Sequence, residues 1–316
     1  MFRYVIKRIL LLLISIIIVL IFTHMILSVS MLMKWSSVSF FKAVPIAWEQ
    51  FKIYFINIVT NWDFGVSFRG EDVWQLIGRK LLISLKYNFT ALFIYVPVGI
   101  FLGVVAAVKK NKIADLIISA FSMVFNAIPS FIVIFFLVMY VGYKWGWLVP
   151  QEPYYSAPFL KQLEGLIIPV TALSIGPIGK FAQMIRGEII ENLSSDHFIL
   201  LRAKGLTRNQ AVRKHALREA LTVIIPEIIP TFVFVLGMSF FIESVYNIQG
   251  LANLFIDSIV IPTDMFSYIY IDVNVVVAIG ILLYGTIMVT ALFADILLSV
   301  VDPRIRIVGK KNLYST

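Results

Sequence analysis

The sequence has no cysteine among its 316 residues, so it can form no disulfide and offers no thiolate to a metal. Charge is scarce: 14% of residues are Asp, Glu, Lys or Arg, against about 25% in soluble domains. The three histidines, His24, His197 and His215, are scattered, and no His-Glu-x-x-His string is present. A phosphate-cradling loop needs Gly-x4-Gly-Lys-Ser/Thr. The nearest string, Gly176-Pro-Ile-Gly179-Lys180-Phe181, has the wrong spacing and no hydroxyl. No constellation for nucleophilic or acid–base catalysis is found.

What is present is apolar length. Residues of hydrophobic type make up 60% of the chain. Apolar runs of about 20 residues, enough to cross a bilayer core, recur along it. They do not alternate as the strands of a membrane β-barrel would. The chain therefore reads as an all-α integral membrane protein, with one transmembrane domain over 1–316. Six transmembrane helices are expected, over 9–30, 82–108, 113–141, 166–186, 222–245 and 274–301. Between them lie an external loop, 31–81, and a polar loop, 187–221.

Lys and Arg mark cytoplasmic loops. Lys109, Lys110 and Lys112 crowd the second connection. Arg202, Lys204, Arg208, Arg213, Lys214 and Arg218 fill the fourth, and Arg304, Arg306, Lys310 and Lys311 follow the last span. The stretch Asn247 to Val273 has none, but has Asp257, Asp264 and Asp272. Both termini are expected in the cytoplasm. Arg3, Lys7 and Arg8 precede a run too long for a cleaved signal, so the first span is expected to stay. The first connection also holds Lys and Arg, but it is about fifty residues long, close to where charge stops controlling topology. Its Trp35, Trp48, Trp62 and Trp74 suit an external segment at the interface. The net charge of +9 is thus a topology signal, and no nucleic-acid partner is expected.

Inside the spans, Pro97, Pro129, Pro169 and Pro177 each remove a backbone donor and can kink a helix. Gly99 and Gly103 form a small-xxx-small face for close helix contact. His24 reads as a structural or interfacial group. Four intramembrane charges stand out: Lys86, Lys180, Glu243 and Asp295. Lys86 can snorkel. Lys180 approaches the cytoplasmic end of the fourth span and Asp295 that of the sixth, while Glu243 lies near the outer end of the fifth. No carboxylate is read at mid-membrane, which argues against an ion-coupled secondary transporter.

The most informative segment is the fourth connection. Leu193 to Leu206 reads as a short helix stopped by Gly205, a natural helix-ending residue. A second basic helical stretch starts at Thr207. On charge alone this is a solvated loop. Arg202-Ala-Lys-Gly-Leu206 followed by His215-Ala-Leu-Arg218, however, resembles the coupling segment of binding-protein-dependent ABC transporter permeases. The branch it most resembles is the oligopeptide/dipeptide (and nickel) one, B-type subunit. The likeness runs along the chain. Phe2-Arg-Tyr-Val-Ile-Lys-Arg8 is similar to the family's N-terminal lead, and Asp63-Phe-Gly-Val-Ser67 to its external Gly-x-Ser element. Ile128-Pro-Ser-Phe131, Gly146-Trp-Leu-Val-Pro150 and Leu166-Ile-Ile-Pro169 fall where the family has counterparts. Glu243-Ser-Val-Tyr-Asn-Ile-Gln-Gly250 and Asp302-Pro-Arg-Ile-Arg306 resemble two further signatures. Two positions depart: the Glu-Ala-Ala triplet is Ile199-Leu200-Leu201 here, and the family's Phe is Tyr246.

The resemblance implies a permease subunit of an ATP-driven peptide importer, in a bacterial plasma membrane. It would form half of the translocation pathway and carry a cytoplasmic coupling helix between spans four and five. It would bind no cofactor itself, ATP and Mg belonging to partner ATPases. The implied partners are a second homologous permease, two cytoplasmic ATPases, an extracellular substrate-binding protein, the peptide and membrane lipid. Arg202, Ala203, Lys204, Gly205 and Leu206 would contact the ATPase. Glu243, Ser244 and Tyr246 would line or gate the pathway. Two alternatives stand beside this reading: nickel or another small solute as the imported species, and an ion-coupled secondary transporter.

Overall fold

The computed structural model describes residues 2–154, 156–259 and 271–301. Among these every regular element is a helix, with one isolated β-bridge between Val66 and Asp72. Asp264 and the Asp302–Arg306 string lie outside the described residues, as does the side chain of Asp295.

The helices are α1 Phe2–Trp35, α2 Phe40–Asn61, α3 Val73–Val108, α4 Ile113–Ala127, α5 Ser130–Phe136, α6 Phe159–Leu193, α7 Asp196–Ala203, α8 Arg208–Ala211, α9 Leu217–Tyr246, α10 Leu251–Ile259 and α11 Val273–Val301. A π-helical stretch, Leu137–Lys144, continues α5, and another, Val212–Ala216, joins α8 to α9. Four helices are long and apolar enough to cross a membrane: Ile9–Lys34, Val73–Val108, Phe159–Leu193 and Val212–Tyr246. Ile113–Ala127 and Ser130–Lys144 make a fifth span if taken together, bent by 101°. The apolar part of α11 among the described residues is the shorter Val273–Val289.

Of the four prolines singled out, three stay within unbroken helices. Only Pro129 marks a break. Ile128 before it adopts extended backbone, φ −82° and ψ 120°, as the clash with a following proline ring demands. The expected external loop also contains a helix, α2. Its apolar residues recur at helical spacing, and Ala43, Ala47, Phe51 and Tyr54 are its buried face.

Two compact units are built from these elements. One joins the residues up to Ser84 with Gln249–Leu292. In it α2 packs along α1, and buried His24 lies against Phe51 and Tyr54, ring centroids 5.6 and 5.1 Å away. Tyr54 is buried with its phenol raised well above its ordinary range, through desolvation first and then Asp272 and Asp63 nearby. Gly65, with φ +80°, turns the chain so that Val66 offers its carbonyl to Asn274 Nδ2 at 3.1 Å. A Cβ on Gly65 would sit 2.9 Å from that nitrogen. Phe68 N–H donates to Asp272, and Leu251 N–H donates to the Ser84 hydroxyl at 2.9 Å.

The second unit runs from Leu85 to Ile248 and takes up the described residues 293–301. Its centre is α6, which α3, α4 and α9 approach closely. A Cβ on Gly103 would lie 2.7 Å from the Ala182 carbonyl and from Ile185 Cβ. One on Gly99 would lie 2.7 Å from Phe181 Cβ. The small-xxx-small face of α3 therefore seats against α6. Gly179 on α6 does the same for α4, where a Cβ would fall 2.6 Å from the Ser122 carbonyl.

Candidate functional site

The polar segment after α6 folds in two steps. α6 ends at Leu193, and the Ser195 hydroxyl accepts the Phe198 N–H at 3.4 Å, starting α7. The last helical bond of α7 runs from Lys204 N–H to the Leu200 carbonyl, 3.0 Å. Gly205 then takes φ +86°, the left-handed conformation that ends helices. The expected helix through Leu206 is therefore shorter at both ends, but it stops where the glycine was expected to stop it. Thr207 and Gln210 form a reciprocal capping box: Gln210 N–H donates to Thr207 Oγ1 at 3.3 Å, and Thr207 N–H to Gln210 Oε1 at 2.9 Å.

The second helical stretch has two faces. Ala211, Val212, Ala216 and Ala220 are buried, while Arg213, Lys214 and Arg218 are exposed. Ala203, Lys204 and Gly205 are exposed and Leu206 half-buried. The backbone of Arg202 closes α7 next to Ala203. Leu200, in the place of the missing Glu-Ala-Ala triplet, presents an apolar side chain that is 61% exposed. The segment thus offers an apolar knob, a tight turn and a row of cations.

At the far end of α9 the side chains do different things. Tyr246 is fully buried and donates to the Val149 carbonyl at 2.8 Å, while Glu152 N–H donates to the Tyr246 carbonyl at 3.0 Å. Tyr87 donates to Glu152 Oε1 at 2.8 Å, and Val149 N–H donates to Glu164 Oε1 at 3.0 Å. These bonds fix the Val149–Glu152 loop to α3, α6 and α9. Glu243 is also buried, and Asn247 at φ +58° caps the helix onto its carbonyl. Ser244 is exposed and donates to Phe240 O at 2.9 Å. Glu243 and Tyr246 share a face; Ser244 points away from it.

Among the described residues, two ion pairs cross between helices. Arg186 of α6 forks onto Asp115 of α4, Nε to Oδ1 at 2.6 Å and Nη2 to Oδ2 at 3.0 Å. Asp115 is 3% exposed and also accepts from Asn111 N–H and the Ser119 hydroxyl. Lys180 of α6 meets Glu227 of α9 at 2.9 Å and Thr231 Oγ1 at 3.0 Å. Glu227 lies two residues from the middle of Val212–Tyr246, about 3 Å along the axis. Glu227 is a further charge inside the expected fifth span, 222–245, five residues from its start. Lys180 lies six residues from the end of the expected fourth span, 166–186. The signal was in the string Ile225-Pro-Glu-Ile-Ile-Pro230, an acid between two prolines in an apolar run.

Residues 99–307 match the family described as binding-protein-dependent transport system inner membrane component. This chain belongs to that family. It is a multi-pass membrane component of a transport system, and the coupling-segment resemblance falls inside the matched region. Among curated relatives, the dipeptide transport system permease protein DppB of Lactococcus lactis is 32% identical over 82% of this chain and 81% of its own length. The oligopeptide transport system permease proteins OppB of Haemophilus influenzae and Escherichia coli are 33% and 31% identical, over 82% and 83% of this chain and 80% and 81% of theirs. Two solved structures share the permease fold. The methionine ABC transporter MetNI in inward-facing conformations aligns with a TM-score of 0.56 at 21% identity, over 72% of this chain and 97% of that one. An amino acid ABC transporter aligns at 0.51 and 22%, over 73% and 94%.

Proposed function

We propose that this permease is one of the two membrane subunits of an ATP-driven peptide importer in a bacterial plasma membrane. The observation that carries the reading is the identity to peptide permeases over four-fifths of both chains. The spans would be α1, α3, the bent pair α4–α5, α6, α9 and α11, six in all, with both termini in the cytoplasm. α2 and the Gly65 turn would then face outward, and α7 with α8 would face the cytoplasm.

In this arrangement the chain does no chemistry. Two ATPases with their ATP and Mg bind below, one of them on this chain. A second homologous permease completes the pathway, and an extracellular binding protein delivers peptide from above. Arg202 to Leu206 form the turn that enters the ATPase. Exposed Leu200 supplies apolar contact there, and Arg213, Lys214 and Arg218 supply charge. When the ATPases close on ATP, this segment moves with them and opens the permease outward. Glu243, Ser244 and Tyr246 stay at the outer end of the pathway, where Tyr246 holds the Val149–Glu152 loop in place.

The test is a mild-detergent pull-down of the tagged chain from native membrane. A second permease and one or two ATPases should co-purify, and the reconstituted complex with its binding protein should import free peptide. Recovery of the chain alone, with uptake abolished by ionophores, would overturn the proposal.

A further inference from the structure

Lys180 and Glu227 are paired with each other, yet both remain open to something else. Their side chains are 35% and 41% exposed. They also lie inside the expected spans 166–186 and 222–245, where a charge exposed to hydrocarbon is costly and such groups face the bundle interior or a water-filled cavity. The open side of this pair therefore does not face lipid.

The surrounding face agrees. On α6 the positions one turn before Lys180 are Gly176 and Pro177, those one turn after are Gln183 and Met184, and Gly187 follows a turn later. A Cβ on Gly187 would meet no atom within 4 Å. α1 differs sharply, with Leu10, Leu11, Leu13, Ile14, Ile17 and Ile18 all 40% or more exposed. On α9, Pro226 and Pro230 bracket Glu227 and lack N–H groups, so the carbonyls of Thr222 and Pro226 lose their helical donors. Thr231 adds a hydroxyl beside the pair.

We propose that Lys180 and Glu227 line the translocation pathway and meet the charged ends of a peptide in transit. The Lys180 ammonium receives the peptide carboxylate. Glu227 receives the α-ammonium. Pairing with each other between substrates keeps both charges compensated, so the empty path carries no net trap at this level. The assignment of the ligand rests on the peptide-importer reading; the lining of a wet path does not.

The chain has no native cysteine, so single thiols report directly. Lys180→Cys, Glu227→Cys and Gln183→Cys are made in the tagged chain, and the full complex is placed in proteoliposomes. Gln183→Cys leaves the ion pair intact and serves if the other two fail to assemble. Leu11→Cys, on the exposed face of α1, and Tyr154→Cys, in an exposed loop, are the lipid and water references. The probe is 2-sulfonatoethyl methanethiosulfonate, given to both sides, read as lost mass-tagging of the chain by a polymer maleimide.

The pathway thiols should react at least 10-fold faster than Leu11→Cys. Tri-alanine with the binding protein should slow the reaction at least 3-fold, and N-acetyl tri-alanine amide should not. Reaction at the Leu11→Cys rate overturns the pathway assignment. Fast reaction without protection, in a complex that imports tri-alanine, overturns the ligand contact. A complex that imports no peptide at all refutes the peptide reading, and the reaction rates alone then decide the lining.

Discussion

Gly205 allows the coupling reading to be separated from simple loss of a turn. Its φ of +86° is one that residues with a Cβ adopt at a cost of about 1–2 kcal/mol. That is a factor of roughly 5–30 in the population of the turn. Within this chain nothing else opposes substitution, because a Cβ would meet no atom within 4 Å. Asn and Asp visit this conformation more readily than Ala. Local strain alone therefore ranks Gly205→Ala as the most harmful change, with Asn and Asp near wild type. A turn that must fit into a partner ranks them the other way, since Asn and Asp are larger and Asp brings a negative charge among cations. We expect Gly205→Asp to abolish peptide uptake, Gly205→Asn to lower it at least 10-fold, and Gly205→Ala to cost less. All three should reach the membrane in normal amounts. Uptake into vesicles and recovery of the ATPases with the tagged chain are the measurements. Wild-type uptake by the Asp and Asn variants would refute the coupling role.

Three further expectations concern stability, read as melting of the purified complex in detergent. Gly103→Ala should destabilise by about 1–3 kcal/mol through overpacking, since its Cβ would fall 2.7 Å from Ala182 and Ile185 atoms; Gly237→Ala, with no atom within 4 Å, should not, and equal melting of the two would contradict the α3–α6 contact. Arg186→Leu strands the buried Asp115 carboxylate and should cost about 3–5 kcal/mol; the double variant with Asp115→Asn should regain part of that, and no recovery would count against the pair. Tyr246→Phe loses one hydrogen bond, worth about 1 kcal/mol, and should keep uptake above half; a collapse of uptake with unchanged melting would make the hydroxyl a gating group instead of an anchor.

Several elements were legible from the residues for clear reasons. Long apolar runs fix α1 and α9, and Gly205 stops α7 within two residues of where its backbone freedom is needed. The Gly99/Gly103 face meets a close neighbour as its spacing suggested. Other features depend on what lies across the fold. Four prolines looked alike, but Pro97, Pro169 and Pro177 remain in helices, while Pro129 ends one. Helix α2 was hidden because Lys42, Glu49 and Lys52 dilute its hydropathy, although Ala43, Ala47, Phe51 and Tyr54 repeat at helical spacing. Glu227 was overlooked because a single acid barely alters an apolar window. Its meaning appears only when Lys180, 47 residues earlier, is seen beside it.

The break at Pro129 bears on how the protein is made. α4 has 15 residues, about 22 Å of helix, and the hydrocarbon core is about 30 Å thick. Neither half of the Ile113–Lys144 pair crosses by itself. What holds α4 is the Gly179 notch and the Arg186 fork, and both belong to α6. The ribosome reaches those residues only after the bent pair has been synthesised. Until α6 emerges, the nascent chain carries two apolar segments, each too short to cross alone, without these α6 contacts. Their integration must therefore be completed late, under the care of the insertion machinery, and a fault in α6 becomes a fault in the assembly of the segment before it.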